Sequence, residues 1–306
     1  MDGKTEQGRG EWILARLRES GFDPILVMPG TEAGEAAGRV ILAFMTYLPE
    51  KRDEERDVWI HPYYPVSQRA YRAVESLCRE GSEMGIRVQQ APEVRLKPIF
   101  ARIESEEIAW IVRGRNTLSY LPGVGSRFHV QTLLTDEDVP VNTYLAAEGR
   151  GPECGSCRAC LEACPTGAIL DGGFQKERCI RFWQLSGKLA PEEIRKANRN
   201  RLIGCDVCQW CCPKNRRPER AAEDAQRQRE IALRDILENP KGMSEQLGPA
   251  IGRNLALPNR LLTQALVMAG AERRQGLKEQ VEALTVHPSP SVREAAAWAL
   301  GQFDEG

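Results

Sequence analysis

The sequence predicts an α+β protein in three parts: an N-terminal α/β domain over residues 1–148, a cysteine-rich segment over residues 149–220 and an α-helical domain over residues 221–306. Three observations predict this layout. Short apolar runs alternate with helical patterns in the first 150 residues, nine of the ten cysteines lie between Cys154 and Cys212, and helical patterns continue from Ile231 onward. Alternating strands and helices, followed by helices alone, are typical of a mixed chain with a helical appendage.

The N-terminal elements follow from periodicity and from the residues that end each pattern. Residues 11–18 form an amphipathic helical pattern that stops at Gly21, and residues 66–85 form a longer one. Short apolar runs bounded by glycine or proline predict strands, and a further strand follows His129; these strands lie at residues 25–28, 40–45, 86–88 and 130–134. One face of the longer helix is expected to carry Tyr71, Val74, Leu77 and Cys78, with Cys78 as a small core residue.

The spacing of the cysteines is the most specific signal in the chain. From Cys154 to Cys164 it follows C-x2-C-x2-C-x3-C-P, the bacterial run that binds [4Fe–4S] clusters. Three thiolates two residues apart can wrap one cuboidal cluster, and the fourth, before proline, binds the other cluster. A second run, from Cys205 to Cys212, has the same ending, with its first member displaced upstream to Cys179. The eight ligands predict a ferredoxin-like segment with two clusters.

The two runs assign four cysteines to each cluster. One set is Cys154, Cys157, Cys160 and Cys212, and the other is Cys164, Cys179, Cys205 and Cys208. Cys211 could replace Cys212, but the x3-C-P register favours Cys212, and we expect the Cys211 side chain to point away from that cluster. Zinc sites also use C-x2-C pairs, but two C-P endings with x3 spacing are not a zinc pattern. A disulfide framework is disfavoured in a chain of this length without a secretory signal.

Composition and charge exclude other classes of protein. The apolar fraction of 42% suits ordinary cores, and a formal net charge of −1 excludes a strongly basic nucleic-acid binder, although a local basic patch is compatible with it. The charged N-terminus leads into no apolar run, and no stretch approaches the ~20 apolar residues that span a bilayer. We therefore expect a soluble, cytoplasmic protein with no membrane partner, in a compartment where thiols stay reduced. Nothing in the sequence requires more than a monomer.

Two glycine-containing loops precede the cysteine segment, at residues 113–118 and 122–129. Their glycines allow the backbone to approach a ligand closely, and their arginines offer donors to anionic groups. Ordinary turns explain the same residues equally well. His129 precedes a predicted strand, so it could equally be a hydrogen-bonded histidine of the core.

Basic residues flank the cysteine ligands, among them Arg199, Arg201, Arg216 and Arg217. One interpretation is a solvated helix face whose cations offset the negative charge of the clusters. The other is a single basic face that docks a polyanion such as RNA, since arginine contacts to phosphate drive nucleic-acid binding.

The C-terminal part contains a repeated helical pattern. Residues 261–270 and 293–301 each form a small-apolar helix that ends in glycine, and the two glycines are 31 residues apart. Between them, residues 287–292 break the chain before a new helix capped by serine. Paired helices of this kind are typical of HEAT-like repeats, which form interaction surfaces.

Taken with its motifs, the chain resembles the epoxyqueuosine reductases, enzymes that use cobalamin and [4Fe–4S] clusters to remove an epoxide oxygen from a tRNA wobble base. The order of domains and the Gly204-Cys205-Asp206-Val207-Cys208-Gln209 motif carry the resemblance. Gly114-Arg115-Asn116-Thr117-Leu118 stands where the family has Gly-Lys-Asn-Thr-Leu, and Gly125-Ser126 where it has Gly-Ser-Trp.

The resemblance implies an N-terminal cobalamin-binding-like domain and an electron path from the two clusters to a cobalamin that reduces the substrate. It also implies an external electron donor of the flavodoxin or ferredoxin type and tRNA as a partner. The residues that it suggests for cofactor binding are Arg115, Asn116, Gly125, Ser126, Arg127 and His129.

The chain departs from the family at the proposed proton donor. The family has Asp-x-x-Pro-x-x-Glu, whereas this sequence has Arg95 at the Asp position and Ala101 at the Glu position. Arginine stays protonated, so it does not act readily as a general acid. Candidate catalytic residues are Arg95 and Lys97, with Arg95 suited to hold an anionic group rather than to donate a proton. If a tyrosine replaces the missing acid, the candidates are Tyr63, Tyr64 and Tyr120, of which Tyr63 is the catalytic candidate. The alternative function is a two-cluster electron-transfer or binding protein without corrinoid chemistry.

Overall fold

A computed structural model describes residues 6–30, 38–48, 57–92, 112–121, 124–142, 154–215 and 231–304. The chain forms two compact units. The first comprises Met1–Tyr47 and Val66–Gly155, and the second comprises Leu48–Pro65 and Ser156–Gly306. The second unit therefore joins a short N-terminal stretch to the cysteine segment and the C-terminal helices, while the division into three domains remains a prediction.

The first unit contains a four-stranded sheet and two helices. Its helices are α1 Glu6–Glu19 and α2 Tyr63–Glu83, the latter starting within the second unit's stretch. Its strands are β1 Ile25–Pro29, β2 Arg39–Thr46, β4 Val88–Gln90 and β7 Phe128–Thr135, with a separate hairpin of β5 Val112–Arg113 and β6 Ser119–Tyr120. The sheet order is β1-β2-β7-β4 and every pairing in it is antiparallel. The N-terminal part is therefore α+β rather than the predicted α/β, because apolar runs do not reveal strand direction.

Both faces of the sheet are covered, which explains why β2 is buried along most of its length. Ile41, Ala43 and Met45 belong to the core formed with α1 and α2. Leu42 and Phe44 belong to the apolar cluster of the opposite face. Because successive side chains of a strand point to opposite faces, a continuous apolar run here indicates a strand covered on both sides.

Helix α2 packs one apolar stripe into the core of the first unit. The stripe consists of Val66, Ala70, Val74 and Leu77, at the spacing of a buried helix face. Cys78 is half-buried and packs against the same core, where burial raises the pKa of its thiol. The prediction that Tyr71 shares this face is wrong: Tyr71 is 47% exposed, because it lies one residue beyond Ala70 and so turns out of the stripe.

The second unit is mainly helical. Two short strands, β3 Trp59–Ile60 and β10 Arg201–Ile203, pair in parallel, and β8 Ile169–Leu170 and β9 Gly173–Phe174 form a hairpin. The helices of the cysteine segment are α3 Ala159–Ala163, α4 Ile180–Ser186, α5 Glu192–Asn198 and α6 Val207–Trp210. The later helices are α7 Leu233–Glu238, α8 Pro240–Ile251, α9 Pro258–Ala271, α10 Lys278–Ala283 and α11 Pro290–Asp304.

The N-terminal stretch is part of the core of this second unit. Val58, Ile60 and Tyr64 are buried in one apolar cluster with Leu202 and Ile203 of β10 and with side chains of α7 to α11. Residues 57–65 therefore support the segment that carries the cysteines, although the sequence suggested an N-terminal domain for them.

The predicted C-terminal repeat corresponds to helices α9 and α11, which pack against each other. Their contact is close at Gly270, where an added Cβ would lie 2.7 Å from the Trp298 ring and 2.9 Å from the Cα of Ala299. A HEAT-like repeat remains a prediction. Among the described residues, no helix combines the length and the apolar character needed to cross a bilayer.

Candidate iron–sulfur and cofactor-binding site

One predicted ligand set lies around the turn between β10 and α6. Burial raises the pKa of the Cys208 thiol well above its usual value, and the nearby sulfurs of Cys205, Cys179, Cys211 and Cys164 raise it further. Cys208 therefore lies within electrostatic range of the three other cysteines that the spacing assigns to its cluster, and of Cys211.

Cys164 follows α3 and receives hydrogen bonds that favour its thiolate. The backbone N–H of Ala168 donates to the Sγ atom at 3.3 Å, and the Thr166 hydroxyl lies 3.6 Å from the same sulfur. Burial alone raises the pKa of Cys164, but hydrogen bonds from Thr166, Ala168 and Ile169 outweigh burial, and the pKa is lowered overall. Hydrogen bonds to cluster sulfurs are also one of the factors that set cluster reduction potentials.

Cys205 lies at the end of β10, next to a buried cation. Burial raises the pKa of its thiol to about 11, although the guanidinium of Arg201 acts in the opposite direction. A thiol that coordinates a metal is deprotonated outright, so iron would replace the protons that burial otherwise retains. Four thiols of one predicted set, an N–H donor to Cys164 and a cation near Cys205 fit the chemistry of a [4Fe–4S] cluster.

Cys211 lies among cysteines of the other predicted set. Burial raises the pKa of its thiol to about 11, and the nearby sulfurs of Cys160, Cys212 and Cys157 also raise it. Cys211 therefore lies within electrostatic range of this set, and the expectation that its side chain points away from the cluster stays a prediction. Cys211 keeps helical backbone angles (φ −74°, ψ −12°) at the end of α6, and this places it near both runs. The choice of Cys212 over Cys211 as ligand remains a prediction.

A buried polar network connects the helix after Cys179 with the strand before Cys205. The Gln184 side chain on α4 accepts from the backbone N–H of Gly204 at 2.7 Å and donates to the Asn198 Oδ1 atom at 2.8 Å. Asn198 in turn donates to the carbonyl of Arg201 at 2.8 Å. Sequence patterns did not single out Gln184 or Asn198, because a buried amide on a short helix leaves no spacing signal.

Tyr63, a candidate catalytic residue, lies at the start of α2 in the second unit. Its ring lies under the guanidinium of Arg181, 5.8 Å from the ring centroid, and its backbone N–H donates to the Nδ1 atom of His61 at 3.0 Å. Arg181 also interacts electrostatically with Cys179. Tyr63 is thus placed near a predicted cluster ligand. The other two candidates, Arg95 and Lys97, lie outside the described residues.

The loop at Gly114–Leu118 is the turn of the β5–β6 hairpin. The amide of Asn116 donates to the Tyr120 hydroxyl at 2.9 Å, and its Oδ1 atom accepts from the Leu118 N–H at 3.2 Å. Asn116 is 4% exposed. Its side chain therefore closes the turn, which is the ordinary structural role that the sequence left open.

Arg115 connects this loop to the beginning of the cysteine segment, within the first unit. Its backbone N–H donates to the Sγ atom of Cys154 at 3.4 Å, and its guanidinium donates to the carbonyl of Gly155 at 2.8 Å. The residue predicted to bind a cofactor therefore contacts a predicted cluster ligand.

The second loop places Gly125, Ser126, Arg127 and His129 at the start of β7. Leu121 and Gly125 form an isolated bridge, and the other three side chains are buried. The Nε2 atom of His129 lies 2.8 Å from the Gln131 amide nitrogen. Burial, hydrogen bonding and strand position give His129 the character of a core histidine, the alternative that the sequence allowed.

His129 is expected to make unfolding pH-dependent. Burial lowers the pKa of its imidazole to about 4, against 6.5 in an unfolded chain. A lowered pKa means that the unfolded chain binds the proton first, so the stabilisation is complete above pH 6.5 and is lost as the pH falls toward 4. The free energy of unfolding should therefore drop by up to about 3 kcal/mol more in the wild type than in His129→Asn over that range. Denaturant titrations at several pH values measure this. The same change in the free energy of unfolding with pH in both proteins would contradict the prediction.

The predicted basic face is only partly described. Arg199 is exposed, whereas Arg201 is 5% exposed and donates to the carbonyls of Ala197 and Asn198 at 3.2 and 3.1 Å. Arg201 is therefore a structural residue of β10, and its inclusion in a surface patch is wrong. The other two members, Arg216 and Arg217, lie outside the described residues.

Comparison with known proteins agrees with this arrangement. Residues 153–215 match the family model of the 4Fe-4S double cluster binding domain. The epoxyqueuosine reductase of Pseudomonas aeruginosa is 30% identical over 342 residues, which cover 98% of this chain and 89% of that protein. The Bacillus cereus enzyme of the same name is 25% identical over 309 residues, covering 93% of this chain and 76% of that protein.

The fold also matches a solved structure. A crystal structure of epoxyqueuosine reductase with an epoxyqueuosine-modified tRNA-Tyr stem loop superposes with a TM-score of 0.73 and 19% identity, covering 98% of this chain and 91% of that one. A double-cluster segment in a chain whose relatives over nearly its whole length are reductases defines an iron–sulfur oxidoreductase. More particularly, the identity over nearly the whole chain shows that it belongs to the epoxyqueuosine reductase family.

Proposed function

We propose that this chain is an iron–sulfur reductase that removes the epoxide oxygen from epoxyqueuosine in tRNA. The observation that carries the proposal is the run of cysteines within residues 153–215, in the order and spacing of a double-cluster segment. Family membership supplies the substrate, since a relative was solved with an epoxyqueuosine-modified tRNA stem loop.

The reaction requires two electrons and two protons. The two C–O bonds of the epoxide break, a carbon–carbon double bond forms and the oxygen leaves as water. Each [4Fe–4S] cluster transfers one electron at a time, so an external donor of the flavodoxin or ferredoxin type would reload the clusters. We assign Cys154, Cys157, Cys160 and Cys212 to one cluster and Cys164, Cys179, Cys205 and Cys208 to the other.

Cobalamin is proposed as a further cofactor on the strength of family membership. When bound, it would supply a low-valent cobalt that reduces the substrate. The described polar side chains of the two loops already have partners within the first unit: Asn116 bonds Tyr120, Arg115 bonds Gly155 and His129 bonds Gln131. In these hydrogen bonds the three side chains do not form a preformed corrinoid site, so cobalamin binding would require them to exchange partners.

For the tRNA, we propose that Arg199, together with Arg216 and Arg217, contacts the phosphate backbone. The helical domain of residues 221–306, with its HEAT-like repeat, would add an interaction surface. The reaction would take place in the cytoplasm, where thiols remain reduced.

A second candidate function is a two-cluster electron-transfer protein without corrinoid chemistry. The observation that favours it is Arg95, which stands at the position of the family's proposed proton donor. Arginine does not release its proton in the accessible pH range, so another group would have to supply protons to the departing oxygen. Tyr63 and Lys97 are the candidates.

The deciding experiment combines cofactor analysis with turnover. The protein is purified without oxygen, its iron, sulfide, zinc and cobalt are measured, and cobalamin is added while visible absorbance is recorded. It is then incubated with a reductant and an epoxyqueuosine-containing tRNA stem loop. About eight irons per chain, cobalamin binding and formation of queuosine are expected. About eight irons with neither binding nor turnover would establish the electron-transfer alternative, and zinc in place of iron would overturn both.

A further inference from the structure

His61 lies against the loop that carries two cluster ligands, although it is far from them in sequence. It stands between β3 and α2 and is 5% exposed. Its backbone N–H donates to the carbonyl of Ile203 at 3.0 Å, and its Cβ atom packs so closely on Gly204 that no side chain would fit there. Cys205 is the next residue. His61 therefore contacts the two residues that come immediately before the Cys205–Cys208 turn.

The imidazole reaches the other side of the same turn. Its Nε2 atom lies 3.0 Å from the Oε1 atom of Gln209, the residue after Cys208. The Nδ1 atom accepts the backbone N–H of Tyr63 at 3.0 Å, which leaves the ring proton on Nε2, where it donates to Gln209. Both ring nitrogens are thus used, and the ring orientation is fixed by two hydrogen bonds.

Gln209 is itself held from the opposite direction. It is 7% exposed, and its backbone carbonyl accepts the Asn215 amide at 2.9 Å. An apolar side chain at position 61 could fill the same volume next to Trp59 and Tyr64. It could not orient a buried glutamine, whose amide would then lose a hydrogen-bond partner. The polar contact therefore specifies the orientation of the first turn of α6.

We propose that His61 is a positioning residue for the cluster of Cys164, Cys179, Cys205 and Cys208. It holds both ends of the Cys205–Cys208 turn and so sets the positions of two of the four thiolates. The inference rests on the proposed ligand sets, not on the identity of the substrate. Groups that orient metal ligands tune the metal centre, and their replacement typically costs about tenfold or more in metal retention or activity.

The test uses the full chain with both clusters and follows the reduction potential of each by electron paramagnetic resonance. His61→Phe keeps a planar ring but removes both hydrogen bonds, and His61→Gln keeps a donor able to reach Gln209. We expect His61→Phe to shift the potential of one cluster, the one that Cys205→Ser eliminates, and to leave the other unchanged. His61→Gln should restore most of the wild-type value. Unchanged potentials in His61→Phe with full iron content would overturn the proposal.

If His61→Phe loses iron, its reduction potential cannot be measured, and a second variant then tests the same hydrogen bond. Gln209→Leu removes the same hydrogen bond from the other partner and should shift, or lose, the same cluster. Loss of the other cluster alone, or of both clusters in both variants, would overturn a local positioning role. Absence of iron in the wild type would remove the basis of the proposal. Wild-type clusters with no turnover of tRNA would overturn the substrate assignment and leave this inference standing.

Discussion

Cys164→Ser is expected to lose one cluster and retain the other, so iron should fall from about eight to about four atoms per chain. The reason is that Cys164 is assigned to one cluster with Cys179, Cys205 and Cys208, and it lies within electrostatic range of Cys208 in the second unit. A serine oxygen is a poor substitute for a thiolate that binds iron. Reductase activity should be abolished, because the electron path through two clusters is interrupted. Iron and sulfide analysis, with spectra of the reduced protein, measures the outcome.

The predicted ligand sets state which of the two clusters each variant should lose, so the test goes beyond the amount of iron. Cys179→Ser should retain the same cluster spectrum as Cys164→Ser. Cys157→Ser should instead retain the spectrum of the cluster that the other two variants lose. Cys78→Ser is the matched control, because this half-buried thiol lies on α2 in the first unit and belongs to neither run. A remaining signal in Cys164→Ser identical to that of Cys157→Ser would show that the two sets are wrongly divided.

The pair Cys211 and Cys212 can be tested in the same series. The sequence register favours Cys212 as ligand, while the structure places Cys211 near Cys160 and Cys157 as well. If the register is right, Cys212→Ser loses the cluster and Cys211→Ser keeps it. The reverse result would move the ligand by one residue without altering the number of clusters.

Local signals predicted much of the fold. Helices α1 and α2 and strands β1, β2 and β7 appear close to their predicted positions, because the helices have a clear periodicity and the strands are short runs rich in apolar residues. The cysteine spacing was informative for the same reason: ligands of one cluster on a tight loop must follow a fixed spacing.

Contacts between distant parts of the chain were not predictable in this way. The pairing of β3 with β10 joins strands of two and three residues, too short to show a periodicity. The basic stretch predicts a surface position for Arg201, but β10 turns its side chain into the protein, where backbone carbonyls accept its hydrogen bonds. His61 was missed because its partner, Gln209, is 148 residues away.

Gly204→Ala is expected to destabilise the second unit and to weaken the cluster that depends on Cys205. Gly204 has a φ of +90°, a conformation that costs a residue with a Cβ about 1–2 kcal/mol. The added Cβ would also overlap the Cβ atom of His61 and lie 3.1 Å from the Tyr64 ring. Overpacking of a buried contact adds about 1–3 kcal/mol, so the total is about 2–5 kcal/mol.

Thermal unfolding of the intact protein without oxygen measures this effect. The midpoint should fall by about 5 °C or more, and iron content should fall with it. The matched control is Gly301→Ala on α11, where nothing lies within 4 Å of an added Cβ and a glycine in a helix is replaced by a better helix former. Its midpoint should stay the same or rise slightly. A Gly204→Ala protein with a wild-type midpoint and full iron would show that the turn before Cys205 relaxes freely, and that neither this glycine nor its contact with His61 constrains the ligand loop.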